Sequence, residues 1–209
     1  KNKLLISVCT EKTSWINSLI PNLLLEWIKK GHQCSWVHST KDLNKGDICF
    51  YLSYETIVKK KVLKKFKNNL VIHASDLPKG KGWSPLSWQI LKGYKKIVVS
   101  LIEAEDKVDS GKIYRQLSKN FSGYELLDQM QSSLRQLTSK LCNYAIKNYP
   151  QTLKKGKLQK GNETYFQRRF PKDSKLNINR SIKSQFNLLR INDNKLYPSF
   201  FYYKKNKYL

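Results

Sequence analysis

The sequence predicts an α/β protein: a mostly parallel, twisted sheet flanked by helices. Two observations carry this. Short apolar runs alternate with stretches whose apolar residues recur at helical spacing, the pattern of strand–helix–strand units. One of those runs also releases a histidine into a loop rich in Ser, Pro and Gly, at the kind of strand end where open parallel sheets build their sites.

The elements follow in order. Residues 4–9 form a short apolar run and read as a first, buried strand. Over residues 15–30, Trp15, Ile16, Leu19, Leu23, Leu24, Trp27 and Ile28 recur at helical spacing, with a restart or kink at Pro21 and a stop at Gly31. Residues 34–38 and 48–53 read as the second and third strands. Residues 58–66 read as a basic amphipathic helix, 70–74 as a fourth strand and 97–102 as a fifth. Ser122 and Glu125 have capping-box spacing. Behind them Leu126, Leu127, Met130, Leu134, Leu137 and Leu141 draw one face of a long helix whose role is core packing. After Pro150 the chain turns polar and basic, with a short helix expected over 181–190. The aromatic and lysine-rich end, 197–209, is expected to lie against the body. Residues 1–209 therefore read as one domain, with 151–209 as a basic, aromatic-rich extension packed on it.

Composition narrows the function classes. Hydrophobic residues make up 40% of the chain, which suits a packed core. No apolar run is long enough to cross a membrane, and the expected location is cytoplasmic. Cys9, Cys34, Cys49 and Cys142 form no Cys-x-x-Cys pair and share no zinc-ligand spacing with the histidines, so they read as buried thiols and no metal is expected. The net charge of +25 is spread along the chain. With no RNA-binding motif, zinc finger or helix-turn-helix beside it, that charge reads as a solvated surface with attraction for an anionic substrate, and nucleic acid is not an expected partner.

The chemistry concentrates between residues 71 and 109. His73 leaves the fourth strand into Ala74-Ser75-Asp76-Leu77-Pro78-Lys79-Gly80-Lys81-Gly82, and histidine is the usual side chain for proton transfer near neutral pH. After the fifth strand comes an acidic loop, Glu103-Ala104-Glu105-Asp106-Lys107-Val108-Asp109, conspicuous in so basic a chain. If the two strands are neighbours, its carboxylates can meet His73, orient the ring and favour its charged form.

The stretch His73-x-Ser75-x-Leu77-Pro78-x-x-Lys81-Gly82-x-x-Pro85 resembles the His-x-Ser-Leu-Leu-Pro-x-x-Arg-Gly loop of the folate-dependent formyltransferases, which include methionyl-tRNA, glycinamide ribonucleotide and nucleotide-sugar enzymes. Val108-Asp109-Ser110-Gly111 resembles that family's Leu-Asp-Thr-Gly. Tyr165 to Asp173 and Tyr197 to Phe201 resemble two later segments of some members. The resemblance implies a Rossmann-like formyltransferase fold, N10-formyltetrahydrofolate as donor, and transfer of its formyl group to a primary amine. His73 and Asp109 would be catalytic. Ser75, Leu77, Pro78, Glu103, Asp106 and Val108 would bind the cofactor. The acceptor placed first is a nucleotide-linked amino sugar, its diphosphate met by Lys79, Lys81 or Arg168. Oligomeric state is left open, a dimer included.

Three positions depart from the pattern: Asp76 stands for Leu, Lys81 for Arg, and Val71 for an Asn whose amide polarises the formyl oxygen. Valine cannot donate a hydrogen bond. Ser53, Asn69 and Ser75 are the nearby substitutes. The alternative reading that Val71 raises is a non-catalytic protein on the same fold that binds folate or another anionic ligand.

Overall fold

The computed structural model describes residues 3–209. In chain order the strands are β1 (Leu5–Cys9), β2 (Gln33–Val37), β3 (Gly46–Tyr51), β4 (Phe66–His73), β5 (Lys81–Gly82), β6 (Lys96–Glu103), β7 (Ile113–Asn120), β8 (Tyr165–Phe166), β9 (Phe201–Tyr203) and β10 (Asn206–Tyr208). The α-helices are α1 (Ile20–Lys29), α2 (Lys60–Leu63), α3 (Pro85–Leu91), α4 (Leu127–Lys147), α5 (Gln151–Lys154) and α6 (Ile182–Arg190). A six-stranded sheet runs β2-β1-β3-β4-β6-β7. The pairs β1–β2, β1–β3 and β3–β4 are parallel; β4–β6 and β6–β7 are antiparallel. The chain leaves β1 toward β2 on one side and returns to β3 on the other. That reversal is a topological switch point, and it opens a crevice at the carboxyl ends of the strands.

Period-two alternation assigns the two faces. Ile48 and Phe50 join Ile6, Val8 and Leu70 in a large core sealed by Ile16, Ile20, Leu23 and Trp27 from the first helical segment and by Met130, Leu134, Leu141 and Cys142 from α4. Cys49 and Tyr51 point the other way, into a smaller cluster with Cys9, Leu43, Val62 and Phe66. Val71 packs against that smaller cluster, and His73 lies on the same side of β4 by alternation. The helix on this face is only the single turn of α2, so the sheet here is thinly covered.

Several expectations are corrected by the structure. The basic helix expected over 58–66 shrinks to α2, because Phe66 already belongs to β4, where its ring is buried. The stretch 113–120 is a strand, β7. Its exposed Arg115, Gln116, Lys119 and Asn120 suit a solvated sheet edge and hid it from an apolar-run reading. Residues 15–19 form a 3-10 turn before α1 begins at Ile20, with Pro21 in the first turn, where a missing N–H costs nothing. The Glu125 carboxylate accepts from the N–H groups of Ser122 and Gly123, but α4 starts only at Leu127. At the carboxyl end Phe200 is buried, whereas Tyr202, Tyr203 and Tyr208 on the β9–β10 hairpin are exposed.

Candidate active site

β4 delivers His73 at its carboxyl end, and the loop after β6 folds back to bring Asp109 beside it. Nδ1 of His73 lies 3.4 Å from Oδ2 of Asp109, with both side chains mostly buried. Nε2 of His73 lies 2.7 Å from the Gly80 carbonyl oxygen. A carbonyl can only accept, so Nε2 carries a proton. A hydrogen bond between Nδ1 and Oδ2 then forms when a second proton lies between them, and this pair is the place where the site can hold a mobile proton. Oδ2 also accepts from the Gly82 N–H at 2.9 Å.

The local backbone is built for this approach. Asp109 sits at φ 49°, a left-handed conformation that is uncommon for a residue with a side chain. At Gly111 a Cβ would lie 1.9 Å from the Glu103 carbonyl oxygen, so only glycine lets the loop return past the end of β6. Gly82 sits at φ 91°, and a Cβ there would lie 2.5 Å from the Phe166 carbonyl oxygen. Leu77–Pro78, in the loop from His73 to Gly82, is a cis peptide.

A cleft of about 860 Å³ opens over this pair, a size that accommodates a drug-sized or cofactor-sized molecule. Val71, Ile102, Ala104 and Val108 give it an apolar wall, and His73 and Asp109 stand in its lining. Arg168 and Arg169 border it from the carboxyl-terminal segment. Arg168 pairs with Glu55. Arg169 is buried, with Nη2 donating to the Asp173 carbonyl and to Asn192 Oδ1, both at 3.2 Å. Burial lowers the pKa of its guanidinium, while Asp173 and Tyr197 oppose that shift.

The other sequence-predicted residues are dispersed. Val108 lines the cleft. Ser75, Leu77 and Pro78 are buried beneath the loop and lie outside the lining. Glu103 is also outside it: its carboxylate accepts from Asn69 N–H at 2.6 Å, Tyr114 Oη at 2.6 Å and Asn68 Nδ2 at 3.1 Å. Burial raises the pKa of Glu103 in spite of those bonds. Asp106 is on the surface, 3.8 Å from Lys60 Nζ. Lys79 is exposed away from the cleft. Lys81 is almost fully buried, with Nζ 2.7 Å from Glu163.

The replacements for a missing amide at Val71 also separate. Asn69 is spent, its Nδ2 donating to the Leu63 carbonyl and its Oδ1 accepting from Tyr51 Oη. Ser75 Oγ is buried off the cleft without a partner. Ser53, at φ 46°, lines the cleft. Sequence reasoning overlooked Gln159, Glu163 and Thr164; Glu163 and Thr164 hold the His73 loop from a distant segment, together with Phe166 of the Tyr165 to Asp173 stretch. Their one visible signal was a glutamate inside a lysine-rich stretch.

The sequence model described as formyl transferase matches residues 28–146. The bifunctional polymyxin resistance protein ArnA of Wigglesworthia glossinidia brevipalpis is 30% identical over 171 residues, which is 78% of this chain and 25% of that protein. The chain thus spans about a quarter of the length of that relative. Among solved structures, methionyl-tRNA formyltransferase from Clostridium thermocellum superposes with a TM-score of 0.82 at 22% identity, covering 98% of this chain and 90% of that one. HypX from Aquifex aeolicus, in a structure with tetrahydrofolic acid, superposes with a TM-score of 0.80 at 15% identity, covering 99% of this chain and 37% of that one. At these identities the two structural matches speak to the fold.

Proposed function

Since the chain belongs to the formyl transferase family, we propose that its cleft transfers a formyl group from N10-formyltetrahydrofolate to a primary amine, and that Asp109 and His73 carry the proton traffic. The observation that carries this reading is the His73–Asp109 contact in the lining of the cleft. The residues present fit the donor. Val71, Ile102, Ala104 and Val108 offer an apolar wall for a flat ring system, and Glu105 and Asp109 of the loop after β6 stand in the same lining.

When bound, the folate donor supplies the formyl carbon and departs as an amine. The protein's part is orientation and proton transfer. Asp109 has its Oδ2 engaged by Gly82 N–H and His73, and among the described residues no group donates to its Oδ1. Oδ1 is the oxygen free to take the proton that the acceptor nitrogen sheds. His73 Nδ1, with a second proton held between it and Oδ2, orients the carboxylate for that transfer, and the Gly80 carbonyl keeps the ring turned toward Asp109. The proton then returns to the departing nitrogen. Ser53 is the side-chain donor nearest in kind to the amide that Val71 lacks.

A nucleotide-linked amino sugar is the acceptor placed first. Of the cations considered for its diphosphate, Arg168 lines the cleft beside Glu55, whereas Lys79 lies outside and Lys81 is committed to Glu163. The test is release of tetrahydrofolate across a panel of amines that includes nucleotide-linked amino sugars and charged initiator tRNA. Turnover with the sugars alone supports the acceptor class; turnover with tRNA alone overturns it.

Val71 favours a second reading, a folate or anion binder without turnover. That protein would bind a folate analogue by calorimetry and release no tetrahydrofolate with any amine.

A further inference from the structure

Asp109 is held in its left-handed conformation by a residue from a distant part of the chain. Gln159 Nε2 donates to the carbonyl of Asp109 at 2.7 Å and to the carbonyl of Gly111 at 2.9 Å. Both partners are acceptors, so only a donor serves at this place, and the Gln159 Oε1 atom is left buried without a partner. Gln159 therefore spends its amide on the backbone either side of Ser110. The same segment continues onto the loop that carries Gly80, the acceptor for His73. Thr164 Oγ1 accepts from Gly80 N–H at 2.8 Å, and the Thr164 carbonyl accepts from Lys81 N–H at 2.9 Å. β8 then pairs with β5 in register Lys81↔Tyr165 and Gly82↔Phe166. Glu163 joins the two loops directly, accepting from Lys81 at 2.7 Å and from Lys107 at 2.9 Å. Gln159, Glu163, Thr164, Tyr165 and Phe166 lie outside the span 28–146 that the family model matches.

We propose that Gln159 is a positioning residue for Asp109, and that the segment from Gln159 to Phe166 is a strap that sets the distance between Asp109 and His73. The inference rests on the reading of Asp109 as the proton acceptor, and it extends that reading to a residue that touches no reacting atom.

Two variants of matched size test it. Gln159→Leu removes both donated bonds, and Gln159→Glu sets a carboxylate against two carbonyls. Each is expected to lower kcat by about 10- to 100-fold, the cost of misplacing a catalytic group by a fraction of an ångström to an ångström, with KM for the donor held within about 2-fold. The chain has three histidines, so side-chain 15N spectra of the unliganded protein resolve His73 and give a readout independent of turnover. In both variants the His73 ring signals should move toward those of Asp109→Asn. Unchanged kcat with unchanged His73 signals would overturn the proposal, as would a loss confined to KM. If the native protein formylates no amine, the proposed activity fails, yet the spectra still decide whether Gln159 positions Asp109. If one variant does not fold, the other carries both measurements.

Discussion

Oδ2 of Asp109 is shared between Nδ1 of His73, at 3.4 Å, and the N–H of Gly82, at 2.9 Å. One oxygen thus ties the end of β4, the loop that follows it and the loop after β6 into a single unit. The Gly80 carbonyl closes the circuit by accepting from Nε2 of the same histidine. The ring has little freedom to turn, and the proton between the two side chains has a defined place. The consequences that follow concern the oxygen side of the transfer, the stability of the unit and the segment that holds it.

Val71→Asn is expected to raise kcat. Val71 lines the cleft, and the one amide nearby on the same side of β4, that of Asn69, is consumed by Leu63 and Tyr51. A single well-placed donor to a developing oxyanion contributes on the order of 100-fold or more, and the gain should approach that figure. Steady-state kinetics check it. A fall in kcat would mean that another group, Ser53 first, already occupies the donor's place.

Gly111→Ala is expected to destabilise the protein and disturb the site together. The added methyl would stand 1.9 Å from the Glu103 carbonyl oxygen, a backbone atom that cannot swing aside. Overpacking of this kind costs about 1–3 kcal/mol, or roughly 3–10 °C in Tm for a chain of this size. Thermal melts followed by circular dichroism measure the loss. An unchanged Tm would show that the loop tolerates a different path.

Glu163 gives the strap a pH dependence. Hydrogen bonds from Lys107, then Lys81 and Tyr165, hold its carboxyl down at about 2, against 4.5 for an unperturbed glutamate. A depressed carboxyl contributes stability that is fully present above the unfolded value and is lost as pH falls through the folded one. Native Tm should therefore exceed that of Glu163→Gln at neutral pH, and the gap should close between about pH 4.5 and about pH 2. A gap that stays constant over this range would show that the ion pairs do not stabilise the fold.

Much of this was legible before any coordinates. β1, β3 and β6 are short apolar runs because both of their faces meet core, and such runs stand out. The helix α4 shows itself through Met130, Leu134 and Leu141, all buried on one side. β7 was missed for the opposite reason: its polar side chains face solvent at the sheet edge, so neither face prints an apolar pattern. His73 was legible from its place at a strand end before a Gly/Pro loop, and Asp109 from its place in an acidic loop. Glu103 was misleading, since a carboxylate in that loop can equally be buried against Asn68, Asn69 and Tyr114. The strap's contacts were invisible because they are hydrogen bonds between segments 48 to 84 residues apart, such as Gln159 to Gly111 and Gly80 to Thr164. No local periodicity records them.

Release of tetrahydrofolate in a single turnover, with enzyme in excess over the formylated donor, tests the central claim most directly. It compares the native protein with His73→Ala and Asp109→Ala, using the amine on which the native protein is fastest. The account predicts rapid release by the native protein and a loss of at least about 100-fold in each variant, with circular dichroism showing both variants folded. Native-like release by Asp109→Ala would contradict it, because the oxygen assigned to take the proton would then be dispensable.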